Sequence, residues 1–325
     1  MANGQSPIVV EGYVEAYNRN LQSMERYIFR DSPNEHSQIA RVEATDRLTN
    51  ERQAIQGLSF PRLNRDQEPA PQFAPTKGYK STIYVKSYRS QVSIEETFMR
   101  TAVYKEPLDN ARDMMRSTVS LKDKTAIDLG FNNGFTNGLT TNITEFDGTA
   151  RAPFSTGHYY EDGSGTFSNY YNVGVPPNPE TVYLIINQYL RRLKDFANTN
   201  FVSYGPEFII VTPTANPAYG MAADEICMSV DRPDTANRAT NVLKGANIRL
   251  RHVALNWLTS TTKWFIIVPT GEQSYPLRLL NLEDYSVTPL AAVGPINPHA
   301  YVTTCRTQFG VGWDKHYRGM VAAGT

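Results

Sequence analysis

The chain has 325 residues, 40 % of them hydrophobic and 20 % charged, a balance that predicts one elaborate domain or two closely packed ones and excludes overall disorder. Its 32 basic and 32 acidic residues cancel, and no lysine or arginine cluster marks a sequence-specific reader of nucleic acid. The two cysteines, Cys227 and Cys305, lie far apart with no companion at metal-ligand spacing, so both read as reduced core or sheet residues.

The first residues, MANGQSPIVVEGYVEAYNR, lack the basic start and apolar stretch of a secretory signal, and no later run is long and apolar enough to span a bilayer. A protein made and kept in a cytoplasm is expected, with no membrane partner. Residues 1–68 are polar and balanced in charge, with helical tendency near Leu21 to Phe29 and in NEHSQIARVEATDRLTNERQAI. They read as an N-terminal arm with too little core to offset its own ordering entropy, and so in need of a partner surface, or else as a flexible leader.

Residues 69–93 form the second unit. QEPAPQFAPTKGYKSTIYVKSYRSQVSI begins proline-rich and extended, then alternates as a strand through Thr82, Ile83, Tyr84, Val85, Lys86 and Tyr88. The pattern predicts a long β-hairpin projecting from the body. Its tyrosines Tyr79, Tyr84 and Tyr88 are flanked by Lys77, Lys80, Lys86 and Arg89, which favours an exposed arm that docks on another subunit over a core strand.

Residues 94–205 hold two helices. Leu108, Ala111, Met115, Val119, Lys122, Ala126 and Leu129 recur at helical spacing between Pro107, suited to a first turn, and Gly130, suited to a stop. Thr136 to Pro177, rich in Gly, Asn, Thr and Tyr, predicts turns and short strands. Asn178 then caps a second helix with Pro179 at its first position and Val182, Ile185, Ile186, Tyr189, Leu190, Leu193 and Phe196 on one face. Its basic residues Arg191 and Arg192, with Lys194, either complement the helix dipole or face a neighbouring subunit.

In residues 206–300, Phe208 to Val211 reads as a strand buried on both sides, Pro217 to Met228 as a short helix, and NIRLRHVALNWL, KWFIIV, PLRLLNL and YSVTPLAAV as strands. Residues 301–325 carry a last strand, with Tyr301, Thr303, Cys305, Thr307, Phe309 and Val311 on one face. The class is α+β with long-range sheet pairing.

Candidate chemistry is thin. His158 with Glu161 and Asp162 lacks known metal spacing and reads as a solvated Gly-rich turn. His252, beside Arg249 and Arg251 in an alternating run, reads as a strand histidine; His299 and His316 flank the last strand with no nucleophile to serve. EDGSGT lacks the lysine and strand-to-helix setting of a phosphate loop. The carboxylates of NLEDY at 281–285, with Asp224 and Glu225, read as solvated or capping rather than as a glycosidase pair. No enzyme, cofactor or metal is expected.

From the hairpin onward the chain resembles the major capsid, or major head, proteins of tailed bacteriophages with the Hong Kong 97 fold, closest in pattern to Mu-like head subunits. RSQVSIEETFMR leads into LDNARDMMRSTVSLKDKTAIDLGFNNGF in the order of that family's projecting loop and spine helix. Asp147 and Gly148 precede Phe154, Ser155, Thr156, Gly157 and His158, matching a family element. NQYLRRLKDFANTN followed by GPEFIIVTPTANPAYGMAADEICMS resembles its helix, strand and entry to the axial domain. The most specific match is CRTQFGVGWDKHYRGMVAAG, with Arg306, Phe309, Gly310, Gly312, Asp314, Arg318 and Gly319. Residues 1 to about 68 have no clear family counterpart, and neither the lysine nor the asparagine of cross-linking members is matched by motif.

The resemblance implies an N-terminal arm over 1–68, an extended loop over 69–93, a spine helix and peripheral domain over 94–205, an axial domain over 206–300, and a C-terminal peripheral strand and tail over 301–325. It implies pentamers and hexamers of the chain closing an icosahedral shell around double-stranded DNA, bound without sequence specificity, with a portal protein and scaffolding, decoration or cement proteins as partners. The location implied is the virion capsid, assembled in the cytoplasm of a bacterial host. A neutral chain suits a container, since tight phosphate binding by its wall would impede genome release. The alternatives are an encapsulin-like compartment shell, which shares the fold, and a soluble α+β hydrolase.

Overall fold

A computed structural model describes residues 7–31, 34–55, 77–101, 105–136, 143–144, 151–160, 165–172, 174–192, 205–229, 243, 246–270, 274–292, 300–314 and 320–324. Helix α1 (Pro7–Asp31) and the short α2 (His36–Ile39) precede strands β1 (Arg41–Ala44), β2 (Thr49–Ile55), β3 (Lys77–Tyr84) and β4 (Lys86–Glu95). A short α3 (Glu96–Arg100) leads to the long α4 (Lys105–Ile127), which a π-helical turn prolongs over Asp128–Asn132. Four two-residue strands follow: β5 (Ile143–Thr144), β6 (His158–Tyr159), β7 (Thr166–Phe167) and β8 (Tyr170–Tyr171). Then come α5 (Pro179–Leu184), prolonged by a π-helical turn over Ile185–Leu190, β9 (Glu207–Pro213), α6 (Pro217–Met228), β10 (Arg249–Leu255) and β11 (Trp264–Ile267). Strands β12 (Leu277–Ala292), β13 (Ala300–Trp313) and β14 (Met320–Ala323) close the order.

The local signals of the helices are met. On α4 the predicted face is buried at Ala111, Met115, Val119, Lys122 and Ala126, with Pro107 in the first turn, where a missing N–H costs nothing. At about 1.5 Å per residue the helix is a rod of roughly 34 Å. Gly130 does not end it. The π-helical turn runs through Gly130, and a Cβ there would lie 2.7 Å from Leu277 Cδ2, so the glycine permits a close approach to β12. Asn178 caps α5, its Oδ1 accepting from Thr181 N–H at 2.8 Å, and Val182, Ile185, Ile186 and Leu190 are fully buried. Leu193 and Phe196 lie outside the described residues.

Strand β9 sits inside a five-stranded sheet of order β10-β9-β11-β14-β8. Its alternate residues feed two cores, as expected of a strand covered on both faces. Ile209 and Val211 join Phe265, Ile267 and Met320 against the C-terminal end of α4. Phe208 and Ile210 join Trp264, Ile266 and Val321 against α5 and α6. A four-stranded sheet, β1-β12-β13-β4, and a third core of Tyr13, Tyr17, Leu21, Ile28, Ile94, Met99, Ala111, Met115 and Leu290 complete the body.

Three further expectations are corrected. The helical tendency over 34–55 is realised only in α2, because β1 lies parallel to β12 and β2 antiparallel to β3, and sheet pairing overrides local propensity. The N-terminal segment is no unsupported arm: Tyr17 donates its hydroxyl proton to Pro107 O at 3.4 Å, and Asn18 Oδ1 accepts from Leu290 N–H at 2.7 Å. The partner surface that α1 needs is in its own chain. Finally, PLRLLNL and YSVTPLAAV are one strand, β12, bulged against β13 between Asn281 and Glu283, Glu283 and Ser286, and Thr288 and Ala291, which lets a polar stretch stay in the ladder.

Candidate functional site: the projecting strands and their anchor

The segment predicted as one hairpin divides at Val85, whose N–H donates to Leu48 O at 2.8 Å. Strand β3 pairs with β2 on one side and β5 on the other, whereas β4 pairs with β13 through ten residues, from Lys86 opposite Phe309 to Glu95 opposite Ala300. The two strands do not pair with one another. Alternation specified that each is a strand and left the partner open. The strands on either side of the proline-rich stretch are therefore β2 and β3, with Ile55 opposite Lys77 as the last register pair; the stretch itself lies outside the described residues.

This division separates the candidate contact residues. Lys77 and Tyr79 lie on β3. Lys80 is exposed and ion-paired with Glu51 Oε2 on β2 at 2.9 Å. Tyr84, at the end of β3, is 63 % exposed beside Leu48 at 65 %, so an apolar pair stands at the loop's base. Lys86, Tyr88 and Arg89 belong to the four-stranded sheet. Tyr88 is half-buried: its ring stacks on Phe309 with centroids 4.7 Å apart, and burial pushes its hydroxyl pKa up. Arg89 is exposed opposite Arg306. Arg191 and Arg192, just past the π-helical turn after α5, are exposed, and Arg191 Nη1 donates to Asn187 Oδ1 at 3.2 Å.

The base of the loop is held by charges that sequence reading missed. Arg278 on β12, 1 % exposed, donates through Nη1 to Asp314 Oδ1 at 3.3 Å and through Nη2 to Glu43 on β1. Arg52 on β2 completes the ring, reaching Asp314 Oδ2 at 3.1 Å and Glu43 Oε2 at 3.2 Å. Burial lowers the pKa of Arg278 and the Asp314 carboxylate opposes that shift. Two carboxylates and two guanidiniums thus join the four-stranded sheet to the three-stranded sheet β2-β3-β5, and Ser81 on β3 adds a hydrogen bond to Trp313 O at 2.6 Å. One signal was legible: Arg278 interrupts the apolar run PLRLLNL, and a cation in a buried strand requires an acid.

The remaining polar clusters bind elements together. Lys122, fully buried on α4, donates to the Asp284 carboxylate and to Asp284 O at 3.1 Å, with its ammonium 3.9 Å from the centre of the Tyr285 ring. Burial lowers its pKa against the pull of Asp284. His36 on α2 meets Asp123 Oδ1 on α4 at 2.6 Å. His158 is not in a solvated turn: it is fully buried, stacked on Phe167 and 3.1 Å from Pro153 O through Nε2. Glu161, Asp162, His299 and His316 lie outside the described residues, as do Asp147, Gly148, Arg318 and Gly319.

His252 joins Thr212 Oγ1 at 2.7 Å and Asp224 Oδ1 at 2.8 Å, a threonine, histidine and carboxylate in series. Thr212 is fully buried, so its oxygen faces protein rather than a substrate, and the series ties α6 to β9 and β10. Cys305 is buried on β13, its thiol pKa raised by burial, and Cys227 is half-buried on α6; neither is in a disulfide. Among the described residues no group of three or more His, Cys, Asp or Glu could hold a metal, and no helix is long and apolar enough to cross a membrane.

This arrangement, a long helix packed on β4 and β13, a bulged β12–β13 ladder and a five-stranded sheet flanked by α5 and α6, is the Hong Kong 97 capsid fold. The virus-like particle from Pyrococcus furiosus has it, with 10 % sequence identity and a TM-score of 0.52 over 94 % of this chain and 98 % of that one. The capsid of cyanophage P-SCSP1u shares it at 9 % identity and a TM-score of 0.53, over 88 % of this chain and 86 % of that one. A chain of Mycobacterium phage Patience does so at 11 % and 0.52, over 100 % of this chain and 89 % of that one. No family model matches the sequence, and no curated protein matches it.

Proposed function

We propose that this chain is the major capsid protein of a tailed bacteriophage, which assembles as pentamers and hexamers into an icosahedral head around double-stranded DNA. The observation that carries the reading is the fold, shared over at least 86 % of the length of a phage capsid chain and of a virus-like particle chain. Supporting it is the loop anchored by Arg278, with Leu48 and Tyr84 exposed at its base, an apolar pair suited to burial against another copy. Closed shells use the same surfaces repeatedly under symmetry, and the domain plan read from the sequence supplies them. The chain performs no catalysis in this reading. Its other partners are a portal protein and scaffolding or cement proteins, and its location is the virion, reached by assembly in the cytoplasm of a bacterial host.

The test is negative-stain electron microscopy of the purified full chain beside a variant in which a short Gly-Ser turn replaces residues 57–75. Because Ile55 and Lys77 are register partners, the variant closes β2 onto β3 and is expected to fold. The intact chain should form closed shells and the variant should not. A chain that stays monomeric in every assembly condition and turns over a small molecule would favour the hydrolase reading. Shells filled with protein cargo in place of DNA, when isolated from the native source, would favour the encapsulin-like one.

A further inference from the structure

The zero net charge conceals an asymmetric helix. On α1 the buried residues Tyr13, Tyr17, Leu21 and Ile28 face α4 and β12. The opposite side of its C-terminal half is lined by Arg19, Gln22, Ser23, Arg26, Tyr27 and Arg30 around an open groove. All six are exposed, Tyr27 to 67 %, and none is acidic or aliphatic. The helix's exposed acids, Glu11 and Glu15, lie in its N-terminal half, and Glu25 is half-buried off the stripe. Among the described residues, none of the three arginines is held in an ion pair. Helix-dipole complementation acts only over the last turn, so it accounts for Arg30 and not for Arg19.

We propose that this stripe is a phosphate-backbone contact for duplex DNA, and hence that α1 faces the interior of the shell. The inference rests on the capsid reading. Its chemistry is that of sequence-independent DNA binding: arginine, glutamine, serine and tyrosine are the side chains that donate to phosphate oxygens, and none here is arranged to read base edges. An acidic protein partner would ask for a buried apolar centre as well, which the stripe lacks. Seven and four residues separate the arginines, about 10 and 6 Å along the axis, so they present cations about two turns and then about one turn apart on one side. Three such contacts hold DNA weakly and release it with salt, as a container requires.

Fluorescence anisotropy of the full unassembled chain with a labelled mixed-sequence duplex of about 20 base pairs, between about 50 and 200 mM salt, tests this. Each phosphate contact contributes about 0.9 to the slope of log affinity on log salt, so R19Q/R26Q/R30Q should flatten the slope by about 2.7, removing roughly 40-fold of the wild-type loss across that range. The single variant R26Q should flatten it by about 0.9, which keeps the test open should the triple variant fold poorly. R249Q, which removes an exposed arginine 3.7 Å from Glu207, should leave the slope unchanged. An unaltered slope in R19Q/R26Q/R30Q and R26Q, or tighter binding of poly-glutamate than of DNA by the wild type, would overturn the proposal. Microscopy of the same samples separates the two readings. Wild-type shells with an unaltered slope in the variants sink this inference alone, whereas absence of wild-type shells sinks the capsid reading.

Discussion

Arg278 and Asp314 meet where strands β12 and β13 end together: Leu277 is the register partner of Trp313, and the guanidinium one residue on reaches the carboxylate one residue past it at 3.3 Å. Arg278 is 1 % exposed and the Asp314 side chain 7 %. Through Glu43 and Arg52 the same ring of charges takes in β1 and β2. The pairs of Arg278 with Asp314 and Glu43 lie within the four-stranded sheet, and Arg52, with its side chain 45 % exposed, is the member of the ring that links them to β2.

Arg278→Met keeps much of the volume and removes the buried charge, leaving half-exposed Arg52 as the partner of both Asp314 and Glu43 within the ring. Breaking one side of a buried pair costs about 3–5 kcal/mol. Urea unfolding should show a loss of that size, and a loss below about 1 kcal/mol would show that the ring is solvated and structurally idle.

Lys122→Met should behave oppositely although Lys122 is equally buried. Its partner Asp284 is 71 % exposed, so water can take over the carboxylate once the lysine is gone, and the desolvation cost of the ammonium disappears with it. Replacing a buried ion by a well-shaped apolar side chain is often neutral or stabilising. Chemical denaturation is expected to place this variant within about 1 kcal/mol of the wild type or above it.

Gly310 lies where β13 passes beneath the turn from β3 to β4. A Cβ there would overlap the Tyr84 carbonyl, with the carbonyl carbon only 2.9 Å away, and backbone cannot rotate aside as a side chain can. Gly310→Ala should cost about 1–3 kcal/mol and displace β3. Gly157→Ala, where nothing lies within 4 Å, is the control and should stay within about 0.5 kcal/mol. Thermal melts of both variants measure the contrast.

Glu283 supplies a pH test. Its carboxyl is held below the ordinary range first by a hydrogen bond from Arg306, then by one from Ser286. A depressed folded-state pKa means that the unfolded chain binds more protons in the window between the two values, so stability rises with pH there. The contribution is complete above the unfolded value of about 4.3 and is lost as pH falls through the folded one. Urea midpoints from about pH 6 down to pH 3 should therefore fall more for the wild type than for Glu283→Gln; parallel curves would show that the Arg306 contact carries no linkage.

Much of the fold was legible in residues that declare their own surroundings. The α4 face including Lys122, the Asn178 cap, the run Phe208 to Val211 and the bounds of α6 all depend on neighbours within a few residues, and each stands as read. Of the candidate contact residues, Lys80 and Tyr84 are exposed on β3 and Tyr88 is half-buried against Phe309, features that strand alternation alone does not separate, and the Arg278 ring escaped notice because Arg278 and Glu43 are 235 residues apart.

By itself the sequence determined periodicity, capping and which stretches must be covered, because side-chain direction repeats every 3.6 residues in a helix and every two in a strand, whatever lies opposite. Only the tertiary structure decided that β4 joins β13 rather than β3, that α1 rests on α4, and that Arg278 finds Asp314. Those choices are made by competition among distant surfaces for the same hydrogen bonds and apolar area, and no local pattern records which competitor wins.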